Sequence, residues 1–229
     1  MQRLNVHVPN RMLYQAKGIM HIAGETREDS FVIGPETASE YPFRPLNTRR
    51  RKTIAGRIDP SLASDDVQKS QECRLRYTLN NNEMTLTLIT KRVKGDGSCF
   101  FRTLSYLLTG TEKYTHLIRQ KICESIANST KEDTIRKYIL PRSGQVYVAE
   151  SKMLDPITWA TDVEIIAATQ LLQCDIFVYT TFQLEDGSYK TDWQRFAFQT
   201  GRKGPQRVID GLYMENSTQL HYNPVLGFK

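Results

Sequence analysis

The 229-residue sequence has no uninterrupted apolar run long enough to cross a bilayer, and Met1 to Pro9 hold no hydrophobic block of signal-peptide length. Membrane insertion and secretion by that route are therefore not expected. Cysteine is scarce: four residues, at 73, 99, 123 and 174, without a Cys-x-x-Cys pair or a Cys/His cluster. That argues against a structural zinc site and a dense disulfide framework, so reduced thiols and no metal or organic cofactor are the expectation. Nucleic acid is not an expected partner either, because the net charge of +6 is spread along the chain and aromatics do not interleave with a basic stripe. Internal repeats are absent. Asn128-Ser129-Thr130 and Asn216-Ser217-Thr218 match glycosylation acceptors, but without a secretory signal they read as chance.

What is present suits one compact domain carrying an extension. Hydrophobic content of 39% and charged content of 24% are ordinary for a soluble protein. Residues 1–70 hold prolines at 9, 35, 42, 45 and 60, scattered charge and no sustained period, and read as an N-terminal extension preceding a domain over 71–229. Within it, Arg49-Arg50-Arg51-Lys52 reads as a solvated run in a loop, with nuclear import or contact with an acidic partner as alternatives.

From about Cys73 the pattern becomes regular. Leu75, Tyr77 and Leu79 alternate, Asn80-Asn81-Asn82 makes a turn, and Met84, Leu86 and Leu88 alternate again, which predicts a hairpin. Helices are predicted from Cys99 to about Thr109, Leu117 to Ala127, near Lys131 to Leu140, and Asp162 to Gln173. Strands follow over Ile176 to Thr180, Arg195 to Phe198, Gly211 to Glu215 and Leu220 to Tyr222. The expected class is α+β, with a central sheet flanked by helices. Cys123, beside Ile118, Ile122 and Ile126, reads as packing.

Chemistry concentrates at Gly95-Asp96-Gly97-Ser98-Cys99-Phe100-Phe101-Arg102, a glycine-flanked turn running into a helix whose apolar face is Phe100, Leu104, Leu107 and Leu108. A cysteine in the first turn meets unpaired N–H groups and the positive end of the helix dipole, which should lower its pKa. The glycines allow N–H groups of the loop to converge on an oxyanion. Near the other end stands His221-Tyr222-Asn223. In a strand, residues two apart share a face, so the Asn223 amide oxygen could hold the imidazole tautomer that takes a thiol proton. Taken singly, a buried structural cysteine and a satisfied strand histidine remain open readings.

A third segment, Trp159-Ala160-Thr161-Asp162-Val163-Glu164, opens a helix with a capping box from Thr161 to Glu164. Asp162 and Glu164 read as capping acids rather than catalytic carboxylates, and Trp159 as core. The helix stripe is read as Val163, Ile166, Ala167, Gln170 and Leu171.

Together, and in this order, the three segments resemble the OTU (ovarian tumour) cysteine proteases, most of which are deubiquitinases. Asp96-Gly97-Ser98-Cys99-Phe100-Phe101-Arg102 matches the family's nucleophile motif at every position. Trp159 to Glu164, followed by the strand Asp175 to Tyr179, is similar to its central motif, and His221-Tyr222-Asn223 to its last. The resemblance implies Cys99 as nucleophile, His221 as general base and then acid, Asn223 as the residue orienting the imidazole, and Asp96 as the catalytic-site residue shaping the oxyanion loop of Gly97 and Ser98, where the N–H groups of Gly97, Ser98 and Cys99 would face the developing charge. One departure is Ala160-Thr161, where many relatives carry paired glycines, which bears on substrate fit. The implied activity is hydrolysis of isopeptide or peptide bonds after the C-terminal glycine of ubiquitin, polyubiquitin or a ubiquitin-like modifier. It would be carried out by a monomer in the cytoplasm or nucleus, or in a host cytosol for a viral or effector protein. A non-catalytic ubiquitin-binding module and a polyprotein-processing peptidase of a virus or mobile element are the alternatives. The segments 140–156 and 201–207 are candidate specificity loops.

Overall fold

A computed structural model describes residues 36–37, 43–64, 88–130, 133–183, 187–198, 210–217 and 221–228. In chain order it holds β1 (Glu36–Thr37), α1 (Thr48–Ile58), α2 (Pro60–Ser64), β2 (Leu88–Thr90), α3 (Cys99–Thr109), α4 (Thr115–Ala127), α5 (Thr134–Ile139), α6 (Gly144–Ser151), α7 (Asp162–Leu172), β3 (Ile176–Gln183), β4 (Tyr189–Phe196), β5 (Leu212–Ser217) and β6 (His221–Phe228). The class is α+β, as expected. One six-stranded sheet runs in the order β1-β4-β3-β5-β6-β2. Among the described strands, only β3 and β5 pair in parallel, in the register Ile176 with Leu212; the remaining strand pairs are antiparallel.

The sheet divides two apolar clusters. The larger is made with the helices, from residues such as Ile54, Leu104, Ile122, Ala168 and Met214. The smaller gathers Phe43, Phe177, Trp193, Tyr213, Val225 and Phe228, with Phe177 stacked on Tyr213 at 4.6 Å between ring centroids. Alternation along β3 explains the division: Ile176 and Val178 join the first cluster while Phe177 joins the second.

Four expectations need correction. The extension drawn over residues 1–70 contains α1 and α2, whose Ile54, Ala55, Ile58 and Leu62 lie in the larger cluster. Residues 43–64 are therefore packed into the same core as the rest. The run Arg49 to Lys52 is the start of α1 rather than a loop, and Arg51 is buried. The segment 140–156, expected as a loop, contains α6, begun by Ser143, whose hydroxyl accepts the Val146 N–H. The buried side of α7 matches the expected stripe only in part: Ile166 and Ala167 are buried as expected, but so are Ile165, Ala168 and Leu172, whereas Val163, Gln170 and Leu171 are only half-buried. This helix packs on α1, α4 and α5, so it is covered on several sides and no single stripe describes it. The predicted hairpin lies outside the described residues except for Leu88, which starts β2; residues 201–207 also lie outside them.

Candidate active site

The helix α3 begins at Cys99 and is capped after Thr109 by Gly110, whose φ of 78° lets the chain turn out of the helix. Phe100, Leu104 and Leu108 are fully buried and Leu107 half-buried, which anchors the helix that carries the cysteine. Packing of α3 against β6 brings Cys99 to the strand that starts at His221. One bond fixes the two elements directly: Thr103 Oγ1 donates to the Tyr222 carbonyl at 3.0 Å. The Tyr222 N–H in turn helps to stabilise negative charge on the Cys99 sulfur.

His221 and Asn223 share a face of β6, and His221 Nε2 lies 3.0 Å from Asn223 Oδ1. The Val93 N–H also donates to Oδ1, at 3.3 Å, which identifies this amide atom as the oxygen. Because an amide oxygen only accepts, the imidazole proton sits on Nε2 and the lone pair on Nδ1. The Nδ1 atom is buried without a hydrogen-bond partner. That edge of the ring faces the loop ahead of Cys99: a Cβ placed on Gly95 would stand 3.7 Å from both Nδ1 and Cε1. The tautomer, the orientation and the direction of the open nitrogen are those a base for a thiol requires. The thiol–imidazole hydrogen bond itself is not made in this conformation.

The protonation of Cys99 differs from the sequence expectation. Burial pushes its thiol pKa up, assisted by the negative charge of Asp96, and outweighs the N–H groups of Tyr222, Phe100 and Cys99 itself that favour the thiolate. Desolvation thus favours the neutral thiol, whose proton a base has to take.

Asp96 organises the turn before the cysteine. Its Oδ1 accepts the Ser98 N–H at 3.0 Å, its carbonyl accepts the Cys99 N–H at 3.0 Å, and its carboxylate receives Arg102 Nη2 at 2.8 Å. Burial raises the Asp96 pKa, but the hydrogen bonds from Arg102 and Ser98 and the charges of Arg102 and Lys94 prevail and hold it below the ordinary carboxylate value. The expected convergence of the Gly97, Ser98 and Cys99 N–H groups on an oxyanion is thus altered, since Ser98 and Cys99 already donate to Asp96. Gly97 N–H is the loop donor not engaged by another described residue. Gly97 must be glycine, because a Cβ there would stand 2.1 Å from the Ile157 carbonyl.

The central motif supports the site from behind. Thr161 Oγ1 accepts the Val163 N–H, and Glu164 Oε2 accepts the Thr161 N–H at 2.7 Å, completing the predicted capping box. Glu164 is fully buried and also receives Tyr147 Oη at 2.9 Å, a bond that ties α6 to α7. Thr161 has extended backbone, with φ −117° and ψ −176°, so the chain needs no glycine there. Trp159 is half-buried against the core. Cys123 and Cys174 are buried free thiols pushed up to about 12 by desolvation, which makes them inert beside Cys99. Among the described residues no three His, Cys, Asp or Glu side chains are grouped to hold a metal ion, and no helix is long and apolar enough to cross a membrane.

A helix-borne thiol and a strand-borne imidazole oriented by an amide are the groups used by thiol hydrolases that work through a cysteine, a histidine and a polar third residue. Residues 94–204 match the model of the OTU-like cysteine protease family. The segment contains the Cys99 loop and the Trp159 motif, while His221 and Asn223 lie beyond it on β6. The ovarian tumour domain-containing deubiquitinating enzyme 9 of Arabidopsis thaliana is 27% identical over 162 residues, covering 69% of this chain and 44% of its own length. This chain therefore spans under half of that relative. Among solved structures, the viral OTU domain protease of Farallon virus is 19% identical, with a TM-score of 0.47 over 62% of this chain and 85% of its own. That of Dera Ghazi Khan virus is 20% identical, with a TM-score of 0.46 over 62% and 81%.

Proposed function

We propose that this chain is a cysteine-dependent deubiquitinase, cleaving the isopeptide or peptide bond after the C-terminal glycine of ubiquitin or a ubiquitin-like modifier. The observation that carries the reading is the His221 ring, fixed through Nε2 on Asn223 and left with an open, buried Nδ1 against the Cys99 loop. The match of residues 94–204 to a cysteine protease family model, and the deubiquitinating name of the plant relative, support this substrate class.

In this scheme His221 Nδ1 takes the thiol proton as sulfur attacks the carbonyl carbon, and the C–N bond breaks as the same proton passes to the leaving lysine amine. Water, deprotonated by the same nitrogen, then attacks the thioester, restoring the thiol and releasing the modifier as a carboxylate. The Gly97 N–H is the loop donor for the oxyanion. No metal or organic cofactor enters the scheme, and the protein acts as a monomer in the cytoplasm or nucleus, where free thiols such as Cys99, Cys123 and Cys174 persist.

The test is to incubate the purified chain with a panel of differently linked diubiquitins, with ubiquitin carrying a C-terminal electrophile, and with its own precursor, alongside Cys99→Ala. Cleavage and covalent labelling by the wild type, both lost in a folded Cys99→Ala variant, are expected. Ubiquitin binding without labelling would replace the proposal with a binding module, and cleavage confined to the precursor with a self-processing peptidase.

A further inference from the structure

Arg119, on α4, is a buried cation without a carboxylate at ion-pair distance among the described residues, and it is 2% exposed. Its partners are carbonyls: Nη1 donates to Met153 O at 2.7 Å, and Nη2 to Gly97 O at 2.8 Å, Thr158 O at 3.0 Å and Pro156 O at 3.3 Å. Nη2 also approaches Ser98 Oγ at 3.1 Å, which itself donates to Pro156 O at 2.9 Å. The guanidinium carbon lies 4.1 Å over the Phe101 ring. Burying a cation on neutral acceptors is costly, and a planar fork with several fixed donors does here what a flexible ammonium could not.

One peptide unit is consequently held from both sides. The carbonyl of the Gly97–Ser98 peptide is bound by Arg119, and its N–H by Asp96 Oδ1 at 3.0 Å. Glycine on one side makes rotation of this unit inexpensive. A half-turn would put the carbonyl oxygen where the N–H now points and reshape the loop beside the reacting thiol. The segment carrying Met153, Pro156 and Thr158 is drawn against the loop by the same guanidinium, with the Ile157 backbone in the space a Gly97 side chain would need.

We propose that Arg119 is a positioning residue for acyl transfer at Cys99, gripping the carbonyl end of the Gly97–Ser98 peptide so that the nucleophile loop keeps the shape that receives an oxyanion. This rests on the deubiquitinase reading for its substrate, but the grip itself does not depend on that substrate. Arg119 touches no reacting atom; it acts through Gly97 and Ser98.

The test compares wild type with Arg119→Lys and Arg119→Gln. Three readouts are taken: kcat and KM on a ubiquitin C-terminal substrate, alkylation of Cys99 by iodoacetamide, and hydrogen exchange of the amides of residues 97–99 against those of α4. Alkylation is a displacement at carbon that forms no oxyanion, whereas acyl transfer must form one. The expected result is a fall in kcat on the order of 10²-fold, KM within about threefold, and an alkylation rate within about twofold. Amides 97–99 should exchange at least about tenfold faster while those of α4 stay protected. Unchanged exchange at 97–99 overturns the proposal, as does a parallel loss of turnover, alkylation and α4 protection, which would describe a fold contact only. If the wild type leaves ubiquitin intact, the deubiquitinase reading fails and the exchange comparison still decides the role of Arg119.

Discussion

His221 Nε2 and Asn223 Oδ1 are 3.0 Å apart on one face of β6, and the same oxygen accepts the Val93 N–H at 3.3 Å. The second bond matters as much as the first, because it stops the amide from turning its NH₂ group toward the ring. Removing the base and removing its orienter should therefore differ in size. We expect His221→Ala to lower kcat by about 10²–10⁴-fold and Asn223→Ala by about 10²-fold, measured on a ubiquitin C-terminal substrate. Asn223→Asp, whose carboxylate can accept both bonds, should recover most of the loss. Wild-type kcat in Asn223→Ala would remove this residue from the mechanism.

The buried thiol makes a prediction about pH. Desolvation favours the neutral form of Cys99, so its pKa is raised, its thiolate fraction at a given pH is smaller than for a free cysteine, and reactivity appears later as pH rises. Alkylation of the free protein by iodoacetamide, mapped to Cys99 by mass spectrometry, should climb with pH to a midpoint above the unperturbed value of about 8.5. A midpoint below that value would mean that the helix end, not burial, controls the sulfur.

Helix α1 gives a stability prediction. Ile54 is fully buried in the larger cluster, so Ile54→Ala should cost about 2–5 kcal/mol in denaturant unfolding. Its exposed neighbour Thr53→Ala should stay within about 0.5 kcal/mol. Equal, small effects would mean that α1 contributes little to the catalytic unit.

The sequence made α3 and α4 readable because their apolar residues recur at helical spacing, and α7 because the capping box announces the first turn. Helix α1 was hidden by arginine: Arg51 sits one turn before Ala55 on the buried face, and a charged residue there breaks the apolar period that marks a helix. Helix α6 was hidden by brevity, since Tyr147 and Val148 are its only buried large side chains. At the site, Cys99, His221 and Asn223 could be read from residue type and order. The commitments of Ser98 and Cys99 N–H to Asp96, and the reach of Arg119 from α4 to Gly97, could not. They arise from tertiary packing between segments with no shared local pattern. The one trace in the sequence is an arginine among Ile118, Ile122 and Ile126, on a helix whose apolar face should repel it.

The strand order gives the two margins of the sheet different freedom. Among the described strands, β6, which carries the imidazole, stands beside the short β2 at one margin, whereas β4 and β1 form the opposite margin with β3 and β5 between. Insertions or altered surface chemistry along β4 and β1 can thus accumulate during divergence without disturbing proton transfer, while comparable changes at the β2 margin act on it at once. Variation among descendants of this chain should accordingly concentrate at the far border, where new partners could be recruited at little cost to turnover.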